Sequence, residues 1–184
     1  MRLIFLGAPG AGKGTQAETL AAAQNIPHIS TGDILRQAVA DQSPLGIQAK
    51  TYMDDGELVP DTLIMGLIKE RLAQADAQQG WILDGFPRNL DQAQELNKLL
   101  QQMEQNYDLV VYFEVSQEAL VSRMLERGRK DDNEVTVRRR LDVYQEQTVP
   151  LIKLYQESNS LQVVDGNADV ATVSNSLRQL LKVS

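Results

Sequence analysis

Cysteine is absent from this chain, which removes disulfide staples and any structural zinc held by thiolates, and suits a reducing compartment. A surplus of basic residues is missing too. With a formal net charge of -7, the chain has no broad positive surface for a nucleic-acid backbone or an anionic membrane, so any phosphate must be bound in a local pocket. No segment approaches the roughly 20 apolar residues that span a bilayer, and the apolar run at residues 3–6 is too short for a signal peptide. The cytoplasm is therefore the expected compartment. Fixed-period repeats, low-complexity stretches and Pro/Gly/Ser-rich linkers are also lacking, and 184 residues fall within the range of one domain.

What the chain does contain is an alternation. Short apolar runs at residues 3–6, 81–83, 109–115 and 161–164, with a briefer one at 28–30, have the form of strands buried on both faces of a parallel sheet. Between them lie helical faces: Leu63, Ile64, Leu67, Ile68 and Leu72, then Leu90, Ala93, Leu96, Leu99, Leu100 and Met103. Ser116 reads as the N-cap of a helix carrying Leu120, Val121, Met124 and Leu125, and residues 170–181 close the chain as another helix. The pattern predicts an α/β three-layer domain: a five-stranded parallel sheet with right-handed crossovers and helices on both faces.

Two segments depart from the alternation. Residues 30–59 hold two successive helix-like stretches, around 33–40 and 44–53, with no clear strand between them, and read as an insert over the sheet edge. Residues 126–133 are densely charged around Gly128 and read as an exposed, mobile loop.

Gly7-Ala8-Pro9-Gly10-Ala11-Gly12-Lys13 follows a strand, precedes a helix and matches the invariant part of the G-x-x-x-x-G-K phosphate loop. Glycines let the backbone curl with its N–H groups inward, and the helix N-terminus adds positive partial charge. Lys13 supplies a full charge for the β and γ oxygens of a nucleoside triphosphate. The hydroxyl usually found after the lysine is replaced by Gly14, with Thr15 one place later, which weakens direct hydroxyl coordination of magnesium. Asp84 ends an apolar strand, where a carboxylate holds the waters of a magnesium ion.

Three motifs taken together, residues 7–15, 30–36 (Ser-Thr-Gly-Asp-Ile-Leu-Arg) and 84–88 (Asp-Gly-Phe-Pro-Arg), resemble the adenylate kinase family of nucleoside monophosphate kinases, and the likeness covers essentially the whole chain. Gly14-Thr15 is that family's own form of the loop. The resemblance implies reversible, magnesium-dependent transfer of a phosphoryl group from ATP to AMP, giving two ADP. It implies a P-loop core at residues 1–29, 60–125 and 133–184, a mobile monophosphate-binding segment at 30–59 and a short lid at 126–132. Longer relatives carry a small extra domain in the lid, sometimes with a cysteine zinc site; neither the length nor the cysteines for one are present here.

By the same resemblance, ATP meets Gly10, Ala11, Gly12, Lys13, Gly14, Thr15, Arg127 and the backbone of Ala168. AMP meets Thr31, Arg36, Glu57, Leu58, Val59, Gly85, Phe86, Pro87, Arg88, Gln92, Arg129 and Arg140, with Arg36 and Arg88 on its α-phosphate. Lys13, Arg88, Arg123, Arg127, Arg129 and Arg140 surround the transferring group. The partners expected are ATP, AMP and ADP, with no nucleic acid and no membrane, acting on a monomer.

This chemistry needs no general base, because the acceptor oxygen is anionic near neutral pH, with a second phosphate pKa of about 6. The lone histidine fits that: His28, in an apolar setting, reads as a packed strand-edge residue. Arginines on helices can also form a solvated face, here with Glu126, Asp131, Asp132 and Glu134, and that reading is preferred for Arg139 but not for Arg88 or Arg127. Two other functions deserve weighing. A pyrimidine monophosphate kinase is disfavoured by Thr31 and Gln92, since a glutamine amide can both donate and accept at an adenine edge. A GTP-dependent switch would need an Asn-Lys-x-Asp motif, whereas Asn97-Lys98-Leu99-Leu100 lacks the aspartate and lies on a helical face.

Overall fold

The computed structural model describes residues 1–129 and 132–183. Its five strands, β1 (Arg2–Gly7), β2 (His28–Ser30), β3 (Trp81–Asp84), β4 (Leu109–Glu114) and β5 (Leu161–Asp165), form one parallel sheet in the order β2-β3-β1-β4-β5. The five-stranded parallel sheet is as the alternation predicts, including the short strand at 28–30. Because all strands run the same way, Gly7, Ser30 and Asp84 end on one edge of the sheet, with Phe5 in register with Asp84 and Asp84 with Ser30.

Strand periodicity divides the core in two. Ile4, Leu6, Leu83 and Val110 point into one layer, packed with Ile68, Leu96, Leu100 and Leu151. Leu3, Phe5, Val111 and Phe113 point into the other, with Ala17, Leu20, Leu120 and Leu177. The first layer is covered by α2 (Thr31–Ala40), α3 (Pro44–Asp55), α4 (Asp61–Leu72), α5 (Leu90–Gln102) and α8 (Pro150–Glu157). The second is covered by α1 (Lys13–Gln24), α6 (Gln117–Arg127), α7 (Glu134–Val143) and α9 (Val170–Leu181). Helices on both faces make the three layers. Among the described residues no helix is long and apolar enough to cross a membrane.

Side-chain caps fix the helix starts next to the sheet edge. Ser30 accepts from the Asp33 N–H, Asn89 from the Gln92 N–H, Ser116 from the Ala119 N–H and Asn133 from the Thr136 N–H. A π-helical turn at Tyr144–Thr148 joins α7 to α8, and neither the turn nor α8 is among the helices expected from the sequence; Leu151 and Tyr155 are the buried positions of α8. The charged loop expected at 126–133 begins later than its composition suggests. Glu126 and Arg127 complete the last turn of α6, and Gly128 terminates it in the left-handed region at φ 64°. Residues 130 and 131 of that expectation lie outside the described residues.

Candidate active site

The loop after β1 is built around backbone geometry. Gly12, the residue before α1, sits at φ 86°, which strains any side chain, and Lys13 starts the helix directly behind it. The Lys13 ammonium donates to the carbonyls of Gly7 (2.8 Å) and Ala8 (2.9 Å), so it folds back over the loop. The end of β3 packs close by: a Cβ placed on Gly14 would meet Asp84 Oδ2 at 3.6 Å.

One cavity of about 700 Å³ runs across this edge of the sheet. Every residue expected to meet ATP or AMP lines it, from Gly10 to Thr15, through Thr31, Arg36, Glu57, Leu58 and Val59, to Gly85, Phe86, Pro87, Arg88 and Gln92. Asp84, Arg123, Arg127, Arg129, Arg140 and Ala168 line it as well. Six different elements and five loops converge there, which is the crevice outside the carboxyl ends of the strands where open α/β sheets bind ligands.

Positive charge accumulates in this cavity. Burial pushes the Lys13 ammonium down to about 8; Asp84 pulls it back up, while Arg88 and Arg127 depress it further. Burial likewise lowers the Arg88 pKa, opposed by Asp84, with Arg140 and Arg36 adding like-charge repulsion. Arg129 is lowered by burial, then by Arg36 and Arg127, against Asp33 and Asp132. Lys13 and five arginines thus share one field, in which like charges depress one another, the charge pattern that suits a polyanion.

Carboxylates hold that cluster in shape. Asp132, whose side chain is fully buried, accepts a bidentate pair from Arg127 (both 2.8 Å) and a bond from Arg140 Nη1 (2.9 Å). Asp33 pairs with Arg36 on its own helix and lies 3.9 Å from Arg129. Arg123 donates to the carbonyls of Gly166 (2.8 Å) and Asn167 (3.2 Å), tying α6 to the loop that carries Ala168. Arg88 is anchored at both ends: its Nε donates to Gly85 O (2.7 Å), and its carbonyl accepts from the Thr148 hydroxyl (2.7 Å) in the π-helical turn. Thr31 spends its hydroxyl proton on Gly85 O (2.9 Å), leaving only acceptor capacity toward the cavity.

Asp84 is a buried carboxylate that stays ionised. Burial alone would raise its pKa; the hydrogen bond from His28 and the charges of Lys13, His28 and Arg88 outweigh that, and the net shift is downward. His28 Nε2 lies 3.3 Å from Asp84 Oδ2. The histidine is packed in a strand, as its apolar neighbours suggest, but it also steadies the site's carboxylate. Strand periodicity holds the signal for this, because His28 and Ser30 share a face of β2 and Ser30 is in register with Asp84.

Pairing and cavity lining are not alternatives for the arginines. Arg127 does bind Asp132, whose carboxylate is buried, yet it also lines the cavity. Arg139 pairs with Glu57 (2.6 Å) on the surface, a partner outside the four acidic residues expected, and it does not line the cavity. Asp131, one of those four, lies outside the described residues. Sequence reasoning also passed over Asp61, which accepts from Gln92 Nε2 (2.7 Å) and Asn89 Nδ2 (3.2 Å).

A parallel three-layer sheet whose first loop presents a glycine-rich cradle and a lysine defines a P-loop protein that binds nucleotide phosphates. A family model for adenylate kinase matches residues 5–160. Adenylate kinase 1 of Synechocystis sp. is 58% identical over 180 residues, covering 98% of this chain and 96% of its own. Adenylate kinase 1 of Nostoc sp. is 53% identical over 98% of both chains, and adenylate kinase of Trichodesmium erythraeum 51% over 97% of this chain and 96% of its own. The chain belongs to the adenylate kinase family.

Proposed function

We infer that this enzyme is a nucleoside monophosphate kinase that catalyses ATP + AMP ⇌ 2 ADP, as the family membership implies. The observation that carries the reading at the site is the convergence of Lys13 and six arginines on one cavity of about 700 Å³.

The triphosphate lies along residues 10–15, with Lys13 leaving its two carbonyls for the β and γ oxygens. Ala168 contacts the donor base through its backbone. The monophosphate lies against residues 57–59 and 85–88, with Arg36 and Arg88 on its phosphate. The acceptor oxygen is already anionic, so the residues supply alignment and charge rather than a proton acceptor. Arg123, Arg127, Arg129 and Arg140 spread their charge over the equatorial oxygens of the transferring group.

Asp84 fits a magnesium ion: it is ionised, faces the cavity and adjoins the loop. Magnesium bound with ATP would neutralise charge on the phosphate oxygens, held through water by Asp84. Residues 30–59 and 126–132 are assigned as the monophosphate-binding segment and the lid, which exclude water when both substrates are bound. The protein acts as a cytoplasmic monomer on small-molecule substrates.

The test is a coupled assay with ATP and magnesium against AMP, UMP, CMP and GMP separately. AMP should turn over fastest. Faster turnover of UMP or CMP would replace the adenylate reading with the pyrimidine one.

A further inference from the structure

The amide of Gln92 is held by two partners whose own roles are unambiguous. Its Oε1 accepts from the backbone N–H of Arg88 (2.7 Å), a group that can only donate. Its Nε2 donates to Asp61 Oδ1 (2.7 Å), and a carboxylate can only accept. Gln92 is 2% exposed and lines the cavity, so both bonds are made within the protein. Asp61 is itself fixed by Asn89, whose Nδ2 donates to both its oxygens (3.2 and 3.3 Å). The Oδ1 of Asn89 in turn accepts from the Gln92 N–H (2.7 Å), closing the network on the start of α5.

Rotating the Gln92 amide by half a turn would set its NH₂ against the Arg88 N–H and its oxygen against the Asp61 carboxylate. Both contacts would be repulsive. The amide is therefore locked, with one N–H and one oxygen lone pair left over. That remaining pair suits a purine edge with an exocyclic amine and an unprotonated ring nitrogen. A 6-oxopurine presents the reverse pattern, a carbonyl and a ring N–H, and needs the forbidden rotamer.

We propose that Asp61 is a specificity-determining positioning residue: by locking the Gln92 amide it makes the monophosphate site accept 6-aminopurine and reject 6-oxopurine nucleotides. The inference rests on the assignment of Gln92 to the monophosphate site. Asparagine at position 61 can offer its NH₂ to a flipped Gln92, so it removes one of the two repulsions. Glutamate keeps both.

The experiment measures kcat/KM for AMP and for inosine 5′-monophosphate, with saturating ATP and magnesium, in the unmodified enzyme and in Asp61→Asn, Asp61→Ser and Asp61→Glu. Serine is the second route to the same change: it suits a helix start and its hydroxyl can donate or accept. The AMP-to-IMP preference should narrow by at least about tenfold in the Asn and Ser variants, chiefly through the KM values. The KM for ATP should stay within about twofold, and Asp61→Glu should keep most of the preference. A preference unchanged in Asn and Ser would overturn the proposal, as would an equal loss in Glu. If the unmodified enzyme does not phosphorylate AMP, the assignment of the site fails instead, and that result is visible before any variant is made.

Discussion

The two ends of the cavity are built by opposite means. At the loop end, Gly7 to Thr15 are consecutive, and the backbone itself supplies the curvature and the N–H groups. At the far end, Arg36, Gln92, Arg129 and Arg140 are held by Asp33, Asp61 and Asp132, while Arg88 is anchored by the Gly85 carbonyl and the Thr148 hydroxyl. A backbone cradle needs only the right torsions. A side-chain cradle needs partners for every long arm, and here most of those partners are carboxylates.

The sharpest way to break this comparison is to remove arms from the arginine cluster. Arg127→Ala and Arg129→Ala should each lower kcat by about 10³-fold or more, the scale of catalytic arginines in phosphoryl transfer. Steady-state turnover at saturating ATP and AMP checks this. Unchanged turnover in both would place these residues on the solvated face.

Removing the support instead of the arm should act on both stability and rate. Asp132→Ala takes away three charge-assisted bonds from Arg127 and Arg140. Because both arginines keep partial access to water, the expected stability loss is about 1–3 kcal/mol, read by denaturant unfolding. The accompanying fall in kcat should be smaller than in Arg127→Ala, since the cations remain.

This difference also governs what the sequence discloses. The loop was legible because its motif is contiguous and framed by a strand and a helix. The sheet was legible because strands buried on both faces are unbroken apolar runs. Asp61 was not, nor was the approach of Asp33 to Arg129, because each acts on a residue brought near only by tertiary packing. Asp132 was visible only as part of a charged surface, and the sequence does not reveal that its carboxylate is buried. Nor does hydrophobic periodicity reveal the π-helical turn that delivers Thr148 to Arg88.

At the loop end, the sensitive variable is the Lys13 proton. Its pKa of about 8 lies below the ordinary lysine value of 10.5, because burial disfavours the charge. A triphosphate restores the charged form. Calorimetry in buffers of different ionisation enthalpy should therefore show proton uptake on ATP binding above about pH 8 and little at pH 7, with affinity falling by up to about tenfold per pH unit above pH 8. The sign for folding is opposite: between about 8 and 10.5 the unfolded chain binds the extra proton, so this lysine's contribution to stability rises with pH.

The smallest effect is expected just outside the cavity. Arg139 pairs with Glu57 at the surface. Arg139→Ala should leave kcat within about twofold, since exposed ion pairs contribute little. A loss comparable to that of Arg127→Ala would extend the arginine cluster to a residue that does not line the cavity.

The account holds that one cavity aligns two nucleotides so that phosphate passes to AMP and not to water. The direct measurement is the fate of label from ATP carrying a radioactive γ-phosphate, incubated with magnesium and AMP. The label should appear in ADP, with two ADP formed for each ATP consumed and little inorganic phosphate. Label released mainly as inorganic phosphate, with AMP unconsumed, would contradict the account.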